Sequence, residues 1–383
     1  MKLVVFSHKP CWRDPDVNSG FATDGGFPFQ MNYLSQLFDS IQIVVPVSAA
    51  GTGGAPLTGR NLQVLPLTMP DGQGLRRKLA LVPWLVKNAP ALLGALRNAD
   101  AVHVPIPGDI GTIGMLLALF TRKALFVRHC GNWFVQRTLA EQFWRWSMEA
   151  FSGGRNIMMA TGGSTEPPCA SGAGVTWIFS SSLTETQLES LARMPRREPG
   201  QSLRLITVAR QEPGKGTDIM LRALQMLDGA VLDVVGGGSA LAALRQSAES
   251  LGVANRVILH GKQPHSRVLE LLQGADVFCH ITASEGFPKA VLEALASGLP
   301  VVTTPVSVLP ILVRGAGVIL SSPTAEAAAE AIRSCTDPQV YRALSERARL
   351  NARQYSLEKW RDEIGRQLRT AWGPLTKAED VSV

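Results

Sequence analysis

Short runs of aliphatic and β-branched residues alternate along this chain with stretches whose apolar positions recur every three or four residues. That alternation predicts strands and helices in turn, and so parallel sheets covered on both faces. In the first half the runs predict strands at Leu3–Ser7, Ile41–Pro46, Leu62–Pro66, Ala101–Val104, Ala124–Arg128, Asn156–Thr161 and Val175–Phe179. In the second half they predict Leu203–Val208, Val231–Gly236, Val257–Gly261, Val277–His280, Val301–Thr304 and Val318–Leu320. The polar, Pro- and Gly-containing stretch from Met194 to Ser202 reads as a connection between the two sets. Helices follow at about Ala325–Cys335, Gln339–Gln354 and Leu357–Ala371. The expected architecture is α/β: two Rossmann-like doubly wound domains, 1–182 and 183–356, facing a central cleft, with a last helix at about 357–375 packed back on the first. Ligands of such sheets bind beyond the carboxyl ends of the strands.

One segment carries an unusual charge pattern. In Ser284-Glu285-Gly286-Phe287-Pro288-Lys289-Ala290-Val291-Leu292-Glu293, two carboxylates bracket the start of an otherwise apolar helix. Pro288 suits the first helical position, Gly298 a left-handed cap, and Pro300 blocks continuation, so the helix is expected over Pro288–Ser297. The amides of Gly286, Phe287 and Lys289 lie near a helix start, where N–H groups lack intrahelical acceptors and suit a phosphate or a sugar oxygen. The apolar neighbours offer the two carboxylates no partner, which suits a ligand rich in hydroxyls. For Glu293 the plainer alternative is a nearby Arg or Lys, or solvent on one face.

Composition narrows the class. Hydrophobic residues make up 45% and charged residues 18% of 383, enough for two buried cores. Five cysteines, Cys11, Cys130, Cys169, Cys279 and Cys335, show no C-x-x-C spacing, which fits a reducing cytoplasm. Lys87, Pro90 and Arg97 interrupt the most apolar region, 79–97, so no bilayer crossing is expected. The net charge of +7 is concentrated in residues 1–182, which hold 15 Lys and Arg against 10 Asp and Glu. Without a Lys/Arg run interleaved with aromatics, or a zinc or RNP-type motif, that charge does not indicate nucleic acid. It suits an anionic substrate or membrane surface. Arg76-Arg77-Lys78 followed by Leu79–Val86 has the basic-then-apolar form of a membrane-surface segment; a core helix packed on the sheet is the alternative. Phe143-Trp144-Arg145-Trp146 reads as helix packing.

Further loops after strands hold candidate chemistry. Arg210 and Lys215 offer two cations before a helix, suited to phosphate, though either alone is an ordinary loop charge. Gly236-Gly237-Gly238 allows close backbone approach, and no Gly-Lys-Ser/Thr follows to make a P-loop. Taken in order, Arg210-x4-Lys215-Gly216, Val234–Gly238, His260-Gly261, Ala275-Asp276-Val277, Glu285-Gly286-Phe287-Pro288 and Glu293-Ala294-x-Ala296-x-Gly298-x-Pro300 resemble glycosyltransferase family 4. The resemblance is strong over about 203–321 and covers the first half only in layout.

The resemblance implies the GT-B fold and retaining transfer from a nucleotide-diphosphate sugar, with no metal and no other cofactor. It assigns the donor diphosphate to Arg210 and Lys215, the ribose to Glu293, and the donor sugar to Glu285 with Gly286, Phe287, Pro288 and Lys289 around it. Gly237, Gly238, Lys262 and Gln263 would line the nucleotide, the last two at its base. In the first half it implies that Gly25 and Gly26 approach the donor phosphates and that His129 lines the site. Asp24, His129 and Asn132 are the acceptor-side candidates. Against the pattern, Pro305–Val313 lacks the acid that the family commonly places before the next helix. The function expected is a hexosyltransferase acting on a lipid-linked or surface-polysaccharide acceptor, cytoplasmic and in peripheral contact with an anionic membrane. The alternatives are a soluble small-molecule acceptor or a nucleotide-sugar-binding protein without turnover. A dinucleotide oxidoreductase would need Gly-x-Gly-x-x-Gly with an acid about 20 residues on, which neither half supplies.

Overall fold

The computed structural model describes residues 1–49, 51, 54–72, 74–168, 174–196, 199–200 and 202–376. Cys169 and parts of the 48–58 and 194–202 stretches lie outside the described residues. The chain forms two compact units. The first comprises Met1–Gly162, Glu166–Phe179 and the chain from Leu357; the second comprises Gly163–Thr165 and Ser180–Ser356.

The strands of the first unit are β1 (Lys2–Phe6), β2 (Cys11–Arg13), β3 (Phe21–Thr23), β4 (Ser40–Ser48), β5 (Ala55–Pro56), β6 (Leu62–Leu67), β7 (Ala101–Ile106), β8 (Ala124–His129), β9 (Asn156–Ala160) and β10 (Val175–Trp177). The main sheet runs β10-β9-β8-β7-β1-β4, with β6 also paired to β4, and all of these neighbours are parallel. Its strands were legible because buried parallel strands read as continuous apolar runs. The edge ribbon β2-β3-β5 was not expected. Its strands have two or three residues each, pair antiparallel to one another, and are too short to show a period.

Four helices, α1 (Phe27–Ser35), α2 (Gly74–Asn98), α3 (Asp109–Phe120) and α4 (Leu139–Phe151), precede the second unit. Helix α1 begins at Phe27, with Pro28 in its first turn, where its fixed φ is already helical. The region whose apolar run Lys87, Pro90 and Arg97 interrupt is one helix of 25 residues containing Pro83 and Pro90. Its stretch Arg76–Asn98 is long and apolar enough to cross a membrane by length and composition. One face of α2 nevertheless packs on the sheet through Trp84, Leu92, Ala95 and Leu96, with Trp84 Nε1 donating to the Thr68 carbonyl at 2.7 Å. The adjacent aromatics of α4 divide: Trp144 Nε1 donates to Thr112 Oγ1 at 2.8 Å, whereas Trp146 is exposed.

In the second unit, α5 (Glu185–Arg193), β11 (Arg204–Val208), α6 (Thr217–Leu224), β12 (Val231–Val235), α7 (Leu241–Ser250), β13 (Val257–Gly261), α8 (His265–Gly274) and β14 (Val277–His280) follow in order. They are succeeded by α9 (Lys289–Ala296), β15 (Val301–Thr303), α10 (Leu309–Leu312), β16 (Gly317–Ile319), α11 (Ala325–Cys335) and α12 (Pro338–Ala352). The sheet order is β13-β12-β11-β14-β15-β16, parallel throughout. The chain winds outward from β11 and then reverses at β14, so the crevice of a doubly wound sheet falls between these two strands. The stretch expected to join the domains, 194–202, lies inside this unit, where Arg196 bonds to the Tyr341 hydroxyl and to the carbonyls of Leu272, Gln273 and Ala275.

The last helix, α13 (Leu357–Trp372), contributes Trp360, Ile364 and Leu368 to the core of the first unit. There His103, in the middle of β7, stacks on Phe126 and donates from Nδ1 to the Phe126 carbonyl at 3.0 Å. Burial, and then the nearby Arg128 charge, push its pKa down from 6.5 to about 3; burial pushes His129 down to about 4. Both rings fold neutral. Their contribution is therefore complete above an unfolded pKa of 6.5 and is lost as pH falls through the window down to the folded values. Each should cost about 1.4 kcal/mol per pH unit below that point. Calorimetry should show the first unit's transition falling between pH 7 and pH 5, with a shallower slope in His103→Gln. A flat profile would contradict the assignment.

Candidate donor site in the second unit

The loops that follow β11 and β14 lie side by side at the carboxyl ends of their strands. Gly216 sits at φ +72, and a Cβ there would come within 1.7 Å of the Ile281 carbonyl oxygen. Ala283 N–H donates to the Gly214 carbonyl at 2.9 Å, joining the loops backbone to backbone. A third loop is tied in from β12: Gln211 N–H donates to Gly237 O at 2.9 Å, and a Cβ on Gly238 would lie 2.1 Å from Gln211 O. Gly237 in turn faces Lys262, whose Cβ is 3.7 Å from where a Cβ on Gly237 would be. Gly216 and Gly238 hold their places because the loops converge too closely there for a side chain.

This convergence places Lys215 Nζ 2.5 Å from Glu285 Oε1 and 3.1 Å from the Ser284 carbonyl. His280 Nε2 stands 3.0 Å from the same carboxylate oxygen, and Thr282 Oγ1 donates to it at 3.4 Å. Glu285 therefore has internal partners, contrary to the expectation from its apolar sequence neighbours. They come from β14 and from the loop after β11, 70 residues away in the case of Lys215. Burial would raise the Glu285 pKa; the hydrogen bond and charge of His280, and then Lys215, outweigh it and hold the group at about 2.

Glu293 lies one and a half turns into α9 and is buried. Among the described residues its partners are neither Arg nor Lys. Ser182 Oγ donates to Oε1 at 2.6 Å, and His265 Nε2, in the first turn of α8, stands 3.0 Å from the same oxygen. Burial lowers the His265 pKa, yet the bond to Glu293 and that carboxylate's charge carry it above its ordinary value against the opposing Lys289. Both carboxylates share one arrangement. Every hydrogen bond they accept falls on Oε1, and Oε2 of each has no donor among the described residues.

The helix between them begins one residue later than expected. Pro288 is the cap, at ψ 86, and its carbonyl accepts from Val291 and Leu292. Gly298 closes the helix at φ +73, as its sequence position suggested. The loop ahead of α9 is pinned by Ser307, itself at φ +58, whose Oγ donates to the Gly286 carbonyl at 2.8 Å and accepts from Gly163 N–H at 2.9 Å. Phe287 rests against Tyr355. Arg210 is exposed, its carbonyl accepts from Glu212 N–H at 2.9 Å, and its guanidinium makes no hydrogen bond among the described residues; Lys262 is also exposed, and Gln263 donates to the His260 carbonyl at 2.7 Å. His260 turns inward to Asp233, which Arg204 also holds. That pair serves the sheet.

In the first unit, Gly25 adopts φ +72 with open space around it, and Gly26 precedes the first turn of α1; Asp24 beside them is half-buried. His129 ends β8 with Trp133 against its ring edge, and Asn132 Oδ1 accepts from the amides of Phe134 and Val135, capping its own loop. The sheet reverses there between β1 and β7, where His8 lies against Gly108. Among the described residues no cluster of three or more His, Cys, Asp or Glu is placed to hold a metal.

His280, Ser182, His265, Ser307 and His8 were missed by sequence reasoning. His280 carried the same signal used for His129, a histidine at a strand end, whereas Ser182 and His265 are joined to Glu293 only by folding.

Residues 192–355 match the family model described as glycosyl transferases group 1. Over 177 residues the chain is 35% identical to the D-inositol 3-phosphate glycosyltransferases of Mycobacterium bovis and Mycobacterium tuberculosis. That match covers 43% of this chain and spans 37% of those relatives' length. Whole-chain similarity is structural. Sucrose-phosphate synthase from Thermosynechococcus elongatus superposes with a TM-score of 0.72 at 16% identity, over 97% of this chain and 98% of that one. HepE from Anabaena in complex with UDP gives 0.69 at 16%, over 97% and 100%. WaaG, a glycosyltransferase involved in lipopolysaccharide biosynthesis, gives 0.65 at 16%, over 96% and 99%. The two Rossmann-like sheets are those of the GT-B fold.

The loop contacts make the glycines unequal. Gly216→Ala forces a methyl group into the Ile281 carbonyl and should cost about 1–3 kcal/mol, whereas Gly237→Ala meets only van der Waals contact and should keep its melting temperature. Equal melting temperatures for the two variants in thermal unfolding would contradict this packing.

Proposed function

We propose that the protein is a metal-independent, retaining hexosyltransferase that uses a UDP- or GDP-sugar. The reading rests on one observation: at the β11/β14 reversal, Glu285 and Glu293 each spend one oxygen on the protein and leave the other to a ligand. Hydroxyls of a donor hexose and of its ribose fit those two acceptors. Arg210 and Lys215 supply positive charge for the diphosphate leaving group, while Gly237, Gly238, Lys262 and Gln263 offer close backbone at the nucleotide. The Glu285 carboxylate, already bound to His280 and Lys215 and held at a pKa of about 2, is a poor proton acceptor. Front-face attack suits such a site, since the departing phosphate takes the acceptor's proton and catalysis rests on positioning and charge stabilisation. Acceptor recognition falls to the first unit, with Asp24, His129 and Asn132 as its candidates.

The acceptor proposed is a lipid-linked or growing surface saccharide, because α2 offers a surface for an anionic bilayer. Leu79, Val82 and Val86, at 70%, 68% and 72% exposure, form a stripe on the helix face away from the sheet. Arg76, Lys78, Lys87 and Arg97 flank it, and no Asp or Glu occurs between Asp71 and Asp100. An apolar stripe edged by cations lies in the plane of an anionic interface. The names of the matched relatives, D-inositol 3-phosphate glycosyltransferase and sucrose-phosphate synthase, favour a second reading with a small soluble acceptor.

A panel of UDP-, GDP- and ADP-sugars scored by thermal shift tests the donor. One nucleotide class at 100 times its dissociation constant should add about 2.7 kcal/mol, and stabilisation by none of them would remove the transferase reading. Vesicle flotation tests the acceptor side. Binding to vesicles containing phosphatidylglycerol should exceed binding to phosphatidylcholine and fall at high salt, and Leu79→Ser/Val82→Ser/Val86→Ser should abolish it. Equal recovery of wild type and the triple variant would leave the soluble-acceptor reading in place.

A further inference from the structure

The pairing of Lys215 with Glu285 sets a physical problem for the proposed donor site. Before any ligand arrives, the lysine is already committed to the carboxylate at 2.5 Å and to the Ser284 carbonyl. A diphosphate carries more negative charge than one carboxylate and draws the ammonium toward itself. A carboxylate left at 14% exposure without a partner is costly, and one free to turn cannot hold a sugar in a fixed place.

Two other groups meet the same carboxylate oxygen, the Thr282 hydroxyl at 3.4 Å and, closer at 3.0 Å, the His280 ring. His280 is the last residue of β14, and its side chain is 3% exposed. Its ring approaches Glu285 through Nε2 at 3.0 Å, while Nδ1 is buried and meets no hydrogen-bonding atom. Glu285 is thus the only side chain to which this ring bonds among the described residues. The backbone beneath the ring is fixed: the His280 carbonyl accepts from Thr303 Oγ1 at 2.7 Å and from Thr282 N–H at 3.2 Å. A histidine rooted in the sheet cannot follow a ligand as a flexible loop lysine can.

We propose that His280 is a positioning residue that keeps Glu285 oriented when Lys215 passes to the donor's diphosphate. This rests on the transferase reading, and it assigns the free and donor-bound states different partners for one lysine. In the free protein Lys215 and His280 share Glu285 Oε1. With donor bound, His280 and Thr282 hold that oxygen, and Oε2 faces the sugar. His280 and Lys215 together keep Glu285 ionised against its burial. No bond is made or broken at His280.

The test compares His280→Leu, which removes the donor, with His280→Gln, which keeps an N–H donor. UDP binding is measured by calorimetry, and turnover by UDP release from the stabilising UDP-sugar in the presence and absence of acceptor; GDP replaces UDP if the panel selects it. His280→Leu should bind the nucleoside diphosphate within about twofold of wild type, while kcat falls about 10- to 100-fold. His280→Gln should recover most of that kcat. Wild-type kcat in His280→Leu would overturn the assignment. Equal loss of kcat, nucleotide binding and melting temperature in both variants would also overturn it, by showing a merely structural histidine. If the wild-type protein bound none of the nucleoside diphosphates, the donor reading itself would fall and this inference with it.

Discussion

The candidate site depends on the meeting of two loops at the point where the second sheet reverses direction. Gly214 and Gly216 let the loop after β11 press against the backbone that follows β14, and Lys215 reaches Glu285 only because of that contact. Polar groups from β14 and from the loops around it then hold the carboxylate. A parallel sheet supplies this geometry without special strain, since successive strands end on the same side and their loops gather there. The chemistry is added by a few side chains at those ends.

The two carboxylates solve one problem in the same way. A buried carboxylate needs donors, and a carboxylate saturated with donors cannot bind a ligand. Glu285 meets Lys215 and His280 on one oxygen, and Glu293 meets Ser182 and His265 on one oxygen. Each pays for its burial with half of its accepting capacity. For Glu285 the remaining oxygen is kept in direction by His280, rooted at the end of β14, which is the condition for a preorganised site.

Much of this was legible in the chain. Continuous apolar runs located the long parallel strands, because strands covered on both faces leave no polar alternation to confuse the pattern. Glu285, Gly298, Arg210 and Lys215 stood out because each sits at a strand or helix end, where turn chemistry is local, and Glu293 because it is a lone charge in an apolar helix. The illegible parts are non-local or too short. Ser182 and Glu293 are 111 residues apart in sequence, so no window joins them. The edge ribbon of β2, β3 and β5 lacks the length to show a period. In α2 the sequence left a membrane-surface segment and a core helix both open, and one face of the helix does pack on the sheet through Trp84, Leu92 and Leu96.

The central claim is that a nucleoside diphosphate sits at the β11/β14 reversal, with Lys215 on its phosphates and Glu293 on its ribose. A crystal structure of the protein with its preferred nucleoside diphosphate tests that most directly. The account predicts Lys215 Nζ turned from Glu285 to within hydrogen-bond distance of a phosphate oxygen, and Glu293 Oε2 accepting from a ribose hydroxyl. A nucleotide bound elsewhere, with the Lys215–Glu285 pair intact and Glu293 untouched, would contradict it.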